Sequence, residues 1–158
     1  MAIKRFLHCS ICVSNYEKSL TFYRDILGFE VVEEQDWAGE NVGKVMDVGD
    51  TELKVACLRR DGQRLELIHY GKPESPPRNL PPKTNHLGLS HLTVGVDSVE
   101  ATIQELKDEG VKVLDRTIGS FVPEYAENIM FLFEDPDGNL IECYTVPPQL
   151  PYDPEPSL

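Results

Sequence analysis

No run of about 18 or more apolar residues occurs in the chain, so no transmembrane helix is expected. Basic residues are scarce. Fifteen Lys and Arg stand against 27 Asp and Glu, for a formal net charge of −12. Nucleic acids and anionic membranes are bound through basic patches, so neither is expected as a partner. The acidic balance does not itself require a cationic substrate, because acidic surfaces often serve only solubility. The N-terminus has two basic residues, Lys4 and Arg5, but no long apolar stretch or small-residue cleavage site behind them. That predicts no signal peptide and a cytoplasmic protein. Cysteine is also sparse: Cys9, Cys12, Cys57 and Cys143. Cys9 and Cys12 have C-x-x-C spacing, but residues three apart on a strand point to opposite faces. The pair is therefore expected neither to converge on a metal nor to close a disulfide, and to be buried small hydrophobes.

What remains is an ordinary soluble composition, 41% hydrophobic and 27% charged over 158 residues, enough for one domain with a proper core. The chain also repeats itself. Aligning His8 on His91 pairs Ile11 with Val94, Val13 with Val96, Ser14 with Asp97, Glu17 with Glu100 and Leu20 with Ile103. Gly28 falls one place from Gly110. Glu66 in RLELIHY and Glu142 in NLIECY lie at similar distances beyond the two histidines. Two copies are too few for a solenoid and predict a paired-module domain.

Each copy reads as strand, helix and further strands. Residues 6–13 read as a buried strand. Ser14 opens a helix with Glu17 as a capping box, and Gly28 stops it. Tyr16, Leu20, Tyr23 and Leu27 share one face of that helix. FEVVEEQD reads as a strand, and residues 37–50 are expected to contain a loop over the site. TELKVACLRR and QRLELIHY are strands joined by an Asp61-Gly62 hairpin turn. Five prolines mark residues 71–86 as a linker. LSHLTVGV is the next strand, and Asp97 with Glu100 caps a helix bearing Val99, Ile103 and Leu106. VKVLDR, NIMFLFED and NLIECYTV follow as strands, the last two joined by the turn at Pro136-Asp137-Gly138-Asn139. Residues 147–158 form a proline-rich tail. The expected organisation is one domain over residues 1–146, with module one at 1–70 and module two at 87–146. The fold class is α+β: two βαβββ modules, their mixed sheet curving around a cavity with helices outside.

Alternation sets the direction of the chemical residues. Ile11 and Val13 face the helix, leaving His8, Ser10 and Cys12 on the opposite face. Leu92, Val94 and Val96 face the second helix, leaving His91, Thr93 and Gly95 away from it. Glu66 shares a face with Arg64 and Ile68, and Glu142 with Leu140 and Tyr144. His8, Glu66, His91 and Glu142 are therefore expected to converge. Two imidazoles and two carboxylates suit one divalent first-row ion (Ni, Co, Zn, Mn or Fe) rather than Ca. Such an ion acts as a Lewis acid on a substrate with neighbouring oxygens. Glu66 or Glu142 could double as general base. A two-histidine, one-carboxylate subset would instead suit Fe(II) and O2.

A lone inward histidine is more often a core residue than a ligand; repetition of the pattern shifts the balance. His69 is expected on the helix side or in a loop, and His86 in solvent. Arg64 is either a clamp for a substrate anion or a salt-bridge partner of Glu66 or a surface acid. Tyr144 either lines the pocket or packs in the sheet. Arg78 and Asn79 are read as mouth or solvated linker, and Trp37, Phe121 and Tyr125 as loop aromatics near the entrance. Asp135 to Asn139 resembles a calcium loop for only a few residues and is read as a hairpin.

The stretches H-x-x-x-x-V-x-N with S-L-T-F-Y-R-D-I-L-G-F, then R-L-E-L, H-L-T-V-G-V-D and F-x-D-P-D-G-N-L-I-E, cover most of residues 6–146. Together they resemble the vicinal oxygen chelate superfamily, which includes glyoxalase I, methylmalonyl-CoA epimerase, extradiol dioxygenases and the bleomycin and fosfomycin resistance proteins. The resemblance implies His8, Glu66, His91 and Glu142 as metal ligands, a barrel-like cavity and a homodimer. With all four positions filled, the pattern is most similar to the glyoxalase and epimerase branch, which implies a lyase, isomerase or epimerase acting through an enolate of a small-molecule substrate. An Fe(II) ring-cleaving dioxygenase and a non-catalytic drug-binding protein are the alternatives. The modules could pair within one chain or swap between two.

Overall fold

The computed structural model describes residues 4–78, 81, 83–120 and 129–145. They fall into two units, the first ending at Pro77 and the second beginning at Arg78.

The first unit comprises β1 (Cys9–Cys12), α1 (Tyr16–Thr21), β2 (Glu30–Gly39), α2 (Glu40–Met46), β3 (Thr51–Arg60) and β4 (Gln63–Lys72). α1 runs on into a π-helical turn at Phe22–Ile26. The sheet order is β1-β4-β3-β2, with β1 parallel to β4 and the other pairs antiparallel. Asp61 and Gly62 join β3 to β4 with φ of 48° and 72°, the two positive values a type I′ hairpin needs. One sheet face packs Ile11, Val13, Ala56, Leu58, Leu65 and Leu67 against Tyr16, Leu20, Tyr23 and Leu27, all buried. Tyr23 is fully enclosed and meets Phe22 and Phe29 edge to face. A polar stitch crosses the same seam. The Tyr16 hydroxyl donates to Glu34 (2.6 Å), while Lys54 Nζ lies 4.2 Å above the Tyr16 ring and 3.6 Å from Glu17. Burial first, then the hydrogen bond and charge of Glu34, hold the Tyr16 hydroxyl protonated well above the ordinary phenol range.

The second unit comprises β5 (Leu92–Val96), α3 (Val99–Asp108), β6 (Met130–Glu134) and β7 (Leu140–Thr145). The sheet order is β5-β7-β6, with β5 parallel to β7 and β6 antiparallel to it. Each unit thus pairs its first strand in parallel with its last. The fold is α+β.

Several expected boundaries move. β1 begins at Cys9, not residue 6, and Phe6 and Leu7 ahead of it are exposed. β5 begins at Leu92, so both histidines sit just before their strands. Both caps fall one residue later than expected. Asn15, not Ser14, accepts from the Lys18 amide, and Ser98, not Asp97, accepts from the Ala101 amide. Residues 37–50 are not simply a loop. β2 continues to Gly39, which places Trp37 in a strand, and α2 follows. VKVLDR is not a continuous strand: it makes a single bridge at Val113, and a second bridge forms at Gly119 beyond a 3-10 turn at Asp115–Thr117. There the Thr117 hydroxyl accepts the Leu132 amide (2.8 Å), a donor that a paired strand would have used. The cysteines are free, but only Cys143 is buried; Cys12 is exposed and Cys9 and Cys57 are half-buried. Among the described residues no helix is long and apolar enough to cross a membrane.

Candidate metal centre

Parallel pairing of first and last strands builds the same small constellation in each unit. On the first sheet Ser10 stands level with Glu66, and on the second Thr93 stands level with Glu142. Each histidine lies two residues before its hydroxyl residue, just ahead of the strand. His8 Nε2 comes within 3.1 Å of Glu66 Oε2, and the Ser10 hydroxyl donates to the same oxygen (3.1 Å). His91 Nε2 lies 3.7 Å from Glu142 Oε2, and the Thr93 hydroxyl donates to that oxygen (3.2 Å). The four side chains that contact through Nε2 and Oε2 are the four expected from sequence, joined as two histidine–glutamate pairs. All are partly exposed, open to a ligand.

The first pair has one more neighbour. Cys57 stands level with Glu66 on β3, and its thiol donates to Glu66 Oε1 at 3.7 Å. Burial, followed by the charge and hydrogen bond of Glu66 and the charge of Glu33, pushes the Cys57 thiol up, and Arg64 opposes this. The thiol therefore stays protonated at neutral pH. Its counterpart across from Glu142 is Leu132. Beside Glu142, burial pushes the Cys143 thiol up to about 12. Both thiols are poor nucleophiles.

The second pair has a neighbour that strand parity could not reveal. Ser90 Oγ lies 2.9 Å from His91 Nδ1 and donates to the Thr84 carbonyl (3.1 Å). Adjacent residues of a strand face opposite ways, but this dipeptide precedes β5. A hydroxyl directly before His91, where Leu7 precedes His8, was the only available signal.

The remaining candidates separate clearly. Arg64 is exposed on the Glu66 face and makes no ion pair among the described residues, so the expected salt bridge is not formed. Tyr144 is half-buried on the Glu142 face, level with Gly95 and Met130. Trp37 is about half exposed and donates to Gln35 (2.8 Å). His69 turns to the helix face, where its Nδ1 lies 3.1 Å from the Val13 carbonyl; His86 is exposed. Arg78 donates to Asn139. Asn79, Phe121 and Tyr125 lie outside the described residues. Asp135 is no calcium ligand in waiting. Its Oδ1 accepts from the Asp137 and Asn139 amides at 2.9 and 2.7 Å, closing the turn.

The pairs fit a first-row cation. Two donors about 2.1 Å from one ion stand about 3.0 Å apart at right angles and about 3.4 Å apart at the tetrahedral angle. The His8–Glu66 separation matches the first value, and the His91–Glu142 pair needs only a small closing movement. Each pair supplies one nitrogen and one oxygen donor. Among the described residues no group of three or more His, Cys, Asp or Glu is assembled to hold an ion.

Residues 5–143 match the family model of the Glyoxalase/Bleomycin resistance protein/Dioxygenase superfamily. The chain belongs to this superfamily. Among its superfamily relatives is the mitochondrial methylmalonyl-CoA epimerase of Mus musculus, 26% identical over 141 residues, covering 87% of this chain and 71% of the relative. A probable lactoylglutathione lyase of Synechocystis is 28% identical over 139 residues, covering 86% and 91%. A solved glyoxalase family protein from Bacillus cereus shares the fold with a TM-score of 0.75 at 22% identity, covering 92% of this chain and 97% of that one.

Proposed function

We propose that this superfamily member is a metal-dependent enzyme of the glyoxalase type, a lyase, isomerase or epimerase. In this reading it moves a proton on a carbon next to a carbonyl, in a small substrate with two neighbouring oxygens. The observation that carries the reading is the repetition of histidine, hydroxyl and glutamate in the same strand register in both units. A packed core or solvated surface has no reason to place the same three groups twice.

His8, Glu66, His91 and Glu142 would hold one divalent first-row ion, which supplies Lewis acidity to stabilise an enolate's developing charge. The protein's own groups do the rest. One glutamate takes the proton from carbon and returns it to the neighbouring carbon in an isomerisation; in an epimerisation the other glutamate, protonated beforehand, would deliver its proton to the opposite face. Glu142 is the better placed. Among the described residues Glu66 has contacts on both oxygens, from His8 and Ser10 on Oε2 and from Cys57 on Oε1, whereas those of Glu142 fall on Oε2. Arg64, exposed beside Glu66 without an ion pair, would receive a substrate anion, and Tyr144 would line the pocket near Glu142. The homodimer implied by the resemblance belongs to the same reading.

The test joins elemental analysis to isotope exchange. Protein purified without a tag or chelator is expected to carry about one first-row metal per chain, lost in His91→Ala. Loaded protein is expected to exchange deuterium from D2O into methylmalonyl-CoA or to form lactoylglutathione. Failure to take up Ni, Co, Zn, Mn or Fe would sink the proposal. Oxygen uptake with a catechol and iron would replace it with ring cleavage.

A further inference from the structure

The two histidines differ in what holds them. His91 Nδ1 is 2.9 Å from Ser90 Oγ, and Ser90 Oγ donates to the Thr84 carbonyl at 3.1 Å. A serine hydroxyl has one proton. With that proton on Thr84, Ser90 Oγ can only accept, so the hydrogen between Ser90 and His91 must sit on His91 Nδ1. A neutral imidazole carries one N–H, which leaves Nε2 with a bare lone pair. That lone pair faces the Glu142 carboxylate, which is itself only an acceptor. The separation agrees: His91 Nε2 stands 3.7 Å from Glu142 Oε2, too far for a hydrogen bond.

We propose that Ser90 is a positioning residue that fixes the His91 tautomer through the relay His91 Nδ1–H to Ser90 to Thr84 carbonyl, presenting Nε2 as a preset metal donor. The inference rests on the metal-dependent reading above and adds an asymmetry to it. The His91 half is held ready for an ion by Ser90, whereas Leu7 gives His8 no such hydroxyl.

Nitrogen NMR of the metal-free full chain reads the tautomer directly. At about pH 8 the signal of His91 is expected to be that of the Nδ1–H form. Ser90→Ala is expected to move His91 toward Nε2–H and to weaken Co(II) binding by about tenfold or more, as loss of a partner to a ligating histidine does. Ser90→Thr keeps the hydroxyl and is expected to restore both. An Nε2–H form at His91 in the unaltered protein overturns the inference, as does a Ser90→Ala variant with unchanged tautomer and Co(II) affinity. Either result would leave the metal reading intact if the unaltered protein binds Co(II). Failure of the unaltered protein to bind Co(II) would overturn both.

Discussion

Glu66 and Glu142 each receive one hydroxyl hydrogen bond, from Ser10 and Thr93. Such bonds turn a carboxylate so that its second lone pair on the same oxygen is aimed at the imidazole, and thus at an ion. Ser10→Ala and Thr93→Val are each expected to weaken metal binding by about tenfold, read by competition with a coloured chelator, with Ser10→Thr and Thr93→Ser near normal. Alternation placed both hydroxyls on the ligand face, and their role follows once the parallel register is known. The faces of Glu66 and Glu142 were legible because strand period is strict, whereas His8 and His91 precede their strands. The partner of His91 was not legible, because Ser90 lies outside a strand, where parity says nothing. The exposure of Cys12 was also missed, because counting a cysteine as a small hydrophobe ignores that its face of β1 carries Ser10.

Secondary elements were legible where apolar side chains mark them. The face of α1 and its π-helical extension and the β3–β4 hairpin came from such patterns, whereas α2 did not. Its buried residue is Gly43, packed so closely that an added Cβ would lie 1.2 Å from the Gly49 carbonyl oxygen. A glycine contact has no hydrophobic signature, and Val45 on the same helix is exposed. Gly43→Ala should therefore destabilise the protein by about 1–3 kcal/mol in urea unfolding, because backbone has to move. The helix caps can be checked in the same assay: Asn15→Ala and Ser98→Ala should each cost about 1 kcal/mol. Tyr16 adds a pH dependence. Its folded pKa lies above the ordinary value of 10.0, so the associated stability is complete below that pH and is lost as pH rises beyond it. Alkaline urea titrations should show this loss, and Tyr16→Phe should show less of it.

At the scale of the molecule, the charge of −12 opposes compaction. Raising salt from about 10 mM to about 200 mM, which shortens the screening length from about 30 Å to under 10 Å, should raise the melting temperature in calorimetry. Exposed pairs such as Arg59–Glu30 and Lys107–Asp115 would weaken under the same change, but each contributes little. A fall in melting temperature would mean that local pairing outweighs global repulsion. The repeat organises everything else, and it leads beyond this chain. Each histidine–glutamate pair needs only two neighbouring parallel strands, with the hydroxyl residue level with the glutamate and the histidine two places ahead. That rule names no loop, no helix and no particular fold. It makes the pair a portable part: a designer could write His-x-Ser or His-x-Thr beside a glutamate on any suitably exposed parallel strand pair and test whether a two-donor chelator comes with it.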